Sequence, residues 1–152
     1  MLKIILRNFI IIKHSTLFIL PYIFLYGLYI QINGDASPGG GFQAGTIFAS
    51  TIIGFDLVYG QFKLRQYFST DLLVGMATIG VLIYALTGMV SILFDDNYLN
   101  YYSLADDKLL AQHIGIFTIE IGVGLCVASV MCLIYSIITA SNIIKSEQIK
   151  NH

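Results

Sequence analysis

The chain has 152 residues, of which 57% are hydrophobic and 11% charged, with no tryptophan and a formal net charge of −1. A water-soluble domain carries roughly a quarter of its residues as Asp, Glu, Lys and Arg, so this composition argues against an ordinary soluble enzyme and for a chain solvated largely by hydrocarbon. Nothing in it points to nucleic acid, and in a membrane chain the placement of each charge matters more than the sum.

The first apolar run, Ser15 to Ile32, follows Lys3, Arg7, Lys13 and His14. A span needs about 20 mostly apolar residues, and a helix over 13–33 supplies them. Pro21 lies in its first third and is expected to kink it, a disturbance that neighbouring helices can accommodate. A basic start followed by Gly34-Asp35-Ala36 also fits a secretory signal, but the apolar run exceeds the ~7–15 residues of a signal core, so we read it as a span.

Ser37 to Gly45 then reads SPGGGFQAG. Pro38 fixes its own φ and disfavours helix at Ser37, while Gly39, Gly40 and Gly41 can adopt conformations closed to other residues, so the chain must turn here. Phe42 and Gln43 follow where a new helix can start. A phosphate-binding loop would need a lysine after the glycines, and none is present.

The second span is predicted over 41–60. Gly45 and Ala49 make one small-residue stripe and Ser50 and Gly54 another, either of which lets a second helix approach closely. Asp56 lies about 6 Å of helix rise from Gly60, which predicts a carboxylate that reaches the membrane surface. A polar patch with Lys63 and Arg65 leads to the third span, 72–94, where Gly80, Tyr84 and Gly88 share a face. Asp95 to Lys108 follows with four aspartates and one lysine, and reads as an exposed acidic loop.

The fourth span, 112–140, carries His113 and Glu120, two helical turns apart and on nearly the same side. Glu120 lies about 10 Å beyond His113 among Ile119, Ile121, Val123 and Leu125. Insertion scales charge up to about 3 kcal/mol for an ionisable residue near the centre of a span, and such residues face a bundle interior or water. Glu120 is therefore the first candidate for a cation or proton route. The bland alternative is a hydrogen-bonded carboxyl that joins helices, with Gly124 and Ala128 on the same stripe. His113 lies nearer the surface and reads as a solvated or structural group. Cys126 and Cys132 fall on different helical faces and read as small apolar fillers, with no metal-ligand spacing.

Seven of the eight basic residues (Lys3, Arg7, Lys13, Lys63, Arg65, Lys145 and Lys150) precede the first span, separate the second from the third, or follow the fourth. The positive-inside tendency then predicts an all-α membrane protein: a single domain of four transmembrane helices, with both termini cytoplasmic and the glycine turn and acidic loop outside.

The run Ser37-Pro38-Gly39-Gly40-Gly41-Phe42-Gln43-Ala44-Gly45 resembles the signature of the B subunit, or MnhB domain, of the Mrp-type multisubunit cation/proton antiporters. Gly115-Ile116-Phe117 followed by Glu120-Ile121-Gly122-Val123-Gly124-Leu125 resembles the final helix of that family, and the likeness covers roughly Phe9 to Ala140. Family members often carry histidines where this chain has Asn33 and Asp35, so a carboxylate replaces an imidazole in that loop. The resemblance implies a small multi-pass subunit of a complex in the bacterial cytoplasmic (inner) membrane that exchanges sodium for protons. Its partners would be other subunits of the complex, including large antiporter-like chains that carry out proton transfer. The residues themselves offer no nucleophile and base pair, cofactor loop or metal set, so neither a cofactor nor enzymatic activity is expected. The same module is similar to parts of membrane-bound hydrogenases and related respiratory complexes, and this is the alternative assignment. From another class come a pure assembly scaffold and a self-associating channel. Within the chain, Glu120, His113, Asp35 and Asp56 are the ion-path candidates, and Pro38, Gly39, Gly40, Gly41, Phe42, Gln43 and Gly45 are the family motif and a candidate interface.

Overall fold

The computed structural model describes residues 10–34, 38–59, 67–93, 97–104 and 107–150. Within them lie four long helices: α1 (Ile10–Ile32), α2 (Gly41–Tyr59), α3 (Thr70–Leu93) and α4 (Lys108–Lys150), with one turn of 3₁₀ helix at Tyr101–Leu104 before the last. All four have a stretch long and apolar enough to cross a membrane, in α4 the part Lys108–Ser141. Helix α4 starts four residues before the apolar span expected from sequence and continues beyond it, for about 64 Å in all.

Local chemistry sets the helix boundaries. Asn33 closes α1 by donating from both its backbone N–H and its side-chain amide to the Tyr29 carbonyl, at 3.1 and 2.9 Å. Ser69 caps α3 through its hydroxyl, which accepts from Leu72 N–H at 3.2 Å, and Asp107 caps α4 by accepting from Leu109 N–H at 3.0 Å. Helix α1 continues through Pro21.

Helix α4 is the axis of the fold, with α2 against one side and α3 against another, while α1 packs mainly on α2. Helices α2 and α4 run parallel and in register. Gly41 meets Glu120, Gly45 meets Gly124 and Asp56 meets Tyr135, each pair 79 residues apart. Helix α3 runs antiparallel to α4, with Gly80 backed onto Gly122 and Leu73 clustered with Cys132 and Ala49. Helix α1 runs antiparallel to α2, with Gly27 on Phe48 and Leu20 on Gly54. The odd-numbered helices therefore run one way and the even-numbered helices the other.

Burial is inverted relative to a soluble protein. The interior holds small and polar side chains, among them Ala44, Ala49, Ser91, Ser129 and Asp56, whereas Phe18, Leu25, Leu82, Met89 and Ile137 face outward. That arrangement suits hydrocarbon as solvent, where helices associate through close backbone packing instead of through apolar burial.

The connection between α3 and α4 differs from a merely exposed loop. The Tyr98 ring covers Gly88 and the Tyr101 ring covers Gly115, so two aromatic side chains fasten the tops of both helices. Burial, with Tyr84 and Tyr98 alongside, pushes the Tyr101 hydroxyl above its usual pKa. Leu99 supplies the reversal with φ of 65°, a conformation that is uncommon for a residue with a branched, bulky side chain. Of the four aspartates in that connection, Asp95, Asp96 and Asp106 lie outside the described residues, as do Lys63 and Arg65.

Candidate functional site: a carboxylate beneath the glycine turn

The segment leading into α2 is built to present backbone. Gly40 precedes the helix, and its N–H donates to the Gln43 side-chain oxygen at 3.1 Å while its carbonyl accepts from Ala44 N–H at 3.0 Å. This is the reciprocal half of a capping box, with Gln43 satisfying a donor that the helix itself leaves over. The motif Gly-Gly-Phe-Gln therefore has a local structural cause in its glutamine, and its glycines have a tertiary one.

That tertiary cause is Glu120. A Cβ added at Gly34 would collide with the Glu120 carboxylate, one at Gly40 would lie 2.7 Å from its Oε1, and one at Gly41 would strike the Glu120 backbone carbonyl. Any side chain at these three positions would displace the acid or push α4 away. The carboxylate is partly buried, about 18 Å of helix rise from the start of α4, and the positive end of the α2 dipole points at it.

One turn further into the membrane, the same interface holds Gln31 of α1, which is 8% exposed. A Cβ at Gly124 would lie 2.5 Å from Gln31 Oε1 and 3.2 Å from the carbonyl oxygen of Gly41. Two oxygens from two helices thus converge over a glycine of a third. The side-chain nitrogen of Gln31 has no hydrogen-bond partner among the described residues.

The candidate residues separate into distinct places. Glu120, Gly40 and Gly41 come together, and Gly45 continues the contact against Gly124. Gly39 lies against Ile30. Pro38, Phe42 and Gln43 are exposed, Phe42 at 60%, so this part of the motif is available to a neighbour. His113 is exposed on α4, two turns above Glu120. Asp35 lies outside the described residues.

Asp56 corrects the expectation from sequence. It is 1% exposed and accepts a hydrogen bond from the Tyr135 hydroxyl at 2.9 Å, instead of reaching the membrane surface. Its distance along the helix from Gly60 allowed an escape to water, but its face is the one that packs on α4. It stands about 22 Å along α2 from Gly41, so it is not part of the Glu120 cluster. Sequence reasoning missed Tyr135, whose only signal is the 79-residue register that links the two glycine stripes. Gln31 was missed too, because a glutamine beside a turn reads as an interfacial residue.

A family model described as a domain related to the MnhB subunit of Na+/H+ antiporter matches residues 11–133. A Staphylococcus haemolyticus (strain JCSC1435) protein provisionally named antiporter subunit mnhB2 is 30% identical over 132 residues, covering 84% of this chain and 92% of that protein. A Staphylococcus aureus (strain MRSA252) protein with the same name is 26% identical over 128 residues, covering 82% and 90%.

Proposed function

This chain belongs to the family of domains related to the MnhB subunit of Na+/H+ antiporters, and we propose that its Glu120 lines the cation route at a contact with neighbouring subunits. The chain is a small membrane subunit of a multisubunit Na+/H+ antiporter, a transporter component and not an enzyme. Within that frame it is a single four-span domain in the bacterial cytoplasmic membrane, with both termini cytoplasmic. Large antiporter-like chains carry the proton relay that four helices with so few ionisable groups cannot supply.

The observation that carries the Glu120 reading is its carboxylate seated against Gly34 and Gly40, at a place where three positions carry no side chain. A carboxylate binds a hard cation when ionised and loses that affinity when it takes a proton, so sodium and proton compete for one group. The turn backbone at the depth of Glu120 needs cover from protein or from a water-filled cavity. The outer ends of α3 and α4 rise beyond it with exposed apolar side chains, Leu93 at 81% and Leu109 at 78%, which favours a protein neighbour there. Phe42 and Pro38, both exposed, are further contacts for a neighbour.

The test is Glu120→Gln, which keeps the shape and removes the titration. In everted vesicles holding equal amounts of assembled complex, we expect sodium-dependent proton exchange to be lost. Full exchange by this variant would place the route elsewhere and leave the chain as a scaffold.

A further inference from the structure

We infer that Gln31 is the second ligand of a monovalent-cation site built on Glu120, an assignment that rests on the Glu120 reading above. Gln31 is 8% exposed, and its Nε2 has no hydrogen-bond partner among the described residues. Buried side-chain amides are almost always satisfied, so an orphan one calls for a partner that the described residues do not supply. The amide lies against Gly124, which is one helical turn along α4 from Glu120, and the Gly41 carbonyl oxygen approaches the same glycine. Carboxylate, amide and peptide carbonyl, from α4, α1 and α2, make an all-oxygen donor set, which selects hard cations over the soft metals that thiolate or imidazole would hold. Among the described residues Glu120 is the one carboxylate in this cluster, and with a neutral amide as its companion the charge is matched to a monovalent ion.

The amide also suits both states of an exchange site. A half-turn about its terminal torsion swaps oxygen for nitrogen with almost no change in shape, because that torsion is broad and two-fold. With sodium bound, Oε1 turns to the ion. With Glu120 protonated, the N–H turns to an acceptor, either the carbonyl oxygen of the acid or a water. Gly124 leaves the room for this, since a Cβ there would press on Oε1 at 2.5 Å.

The experiment measures the sodium dependence of proton exchange in everted vesicles carrying the whole complex, with Gln31→Met as an apolar variant of similar length. We expect the half-maximal sodium concentration to rise about 10-fold or more while the maximal rate and the amount of complex hold, because one ligand to a charged centre is lost. An unchanged sodium dependence in Gln31→Met, alongside loss of exchange in Glu120→Gln, would overturn the role of Gln31 and leave that of Glu120 intact. Full exchange in Glu120→Gln would overturn both. If Gln31→Met is not recovered in the complex, Gln31→Asn, which keeps the amide but withdraws it by one methylene, is read the same way. Failure of both to assemble would assign Gln31 to helix packing and end the proposal.

Discussion

Two acidic side chains in this protein illustrate what a residue's position along a helix reveals and what it leaves open. That Glu120 falls inside a long apolar helix was legible, because apolar residues run on either side of it. The fate of Asp56 was not, because rise along the axis says nothing about which way the side chain faces. Its partner Tyr135 lies 79 residues away and donates at 2.9 Å. Removing that hydroxyl leaves a buried acceptor short of a donor, so Tyr135→Phe should destabilise by about 1–3 kcal/mol, read as a lower midpoint of thermal unfolding in detergent. Combining it with Asp56→Leu should recover part of the loss, since replacing both polar partners by apolar groups costs less than orphaning one. Equal stability of Tyr135→Phe and wild type would show that the bond contributes nothing.

At the scale of helices, hydrophobicity marks the elements but not their packed faces. In lipid the outward face is as apolar as the inward one, so the contrast that identifies a buried stripe in a soluble helix is missing. Small residues carry the information instead, and they carry it ambiguously. Gly45 and Ala49 are buried on α4 as one stripe predicted, whereas Ser50 of the other stripe is exposed and Gly54 meets only the end of Leu20. Of the face shared by Gly80, Tyr84 and Gly88, the glycines are buried and Tyr84 is 40% exposed. Two substitutions of the same kind separate contact from mere occurrence. A Cβ at Gly45 would lie 2.6 Å from the Gly124 carbonyl oxygen, which is backbone and cannot yield, so Gly45→Ala should push α2 from α4 and reduce recovery of the complex. Gly75 has nothing within 4 Å, so Gly75→Ala should be tolerated or stabilise α3 by roughly 0.5–1 kcal/mol through its helix propensity. Thermal unfolding of the two variants side by side checks both, and equal effects would mean that close backbone approach does not hold α2 to α4.

For the whole molecule, parallel α2 and α4 put the glycine turn and the α3–α4 connection at one end and the starts of α1 and α3 at the other. The sequence carried this up-and-down order in four apolar runs joined by short connections, which needs no knowledge of packing. What it could not carry is the stagger: α4 extends about 18 Å past Glu120 while α1 and α2 stop level with it, so the acid lies beneath a turn instead of at the tip of a helix. The proposed orientation predicts that a cysteine placed at Asn97, in a chain whose Cys126 and Cys132 are changed to alanine, reacts with an impermeant thiol reagent in intact cells. One placed at Lys150 should react only after the membrane is opened, and the opposite pattern would invert the topology. The central claim is narrower, that one carboxylate held away from water takes either a proton or a sodium ion. A hydrophobic carbodiimide, which modifies protonated carboxyl groups within membranes, tests it directly when the peptide containing Glu120 is weighed by mass spectrometry. The account predicts an adduct on Glu120 that sodium, but not an equal concentration of a large organic cation, suppresses. An adduct that forms to the same extent with and without sodium would contradict it.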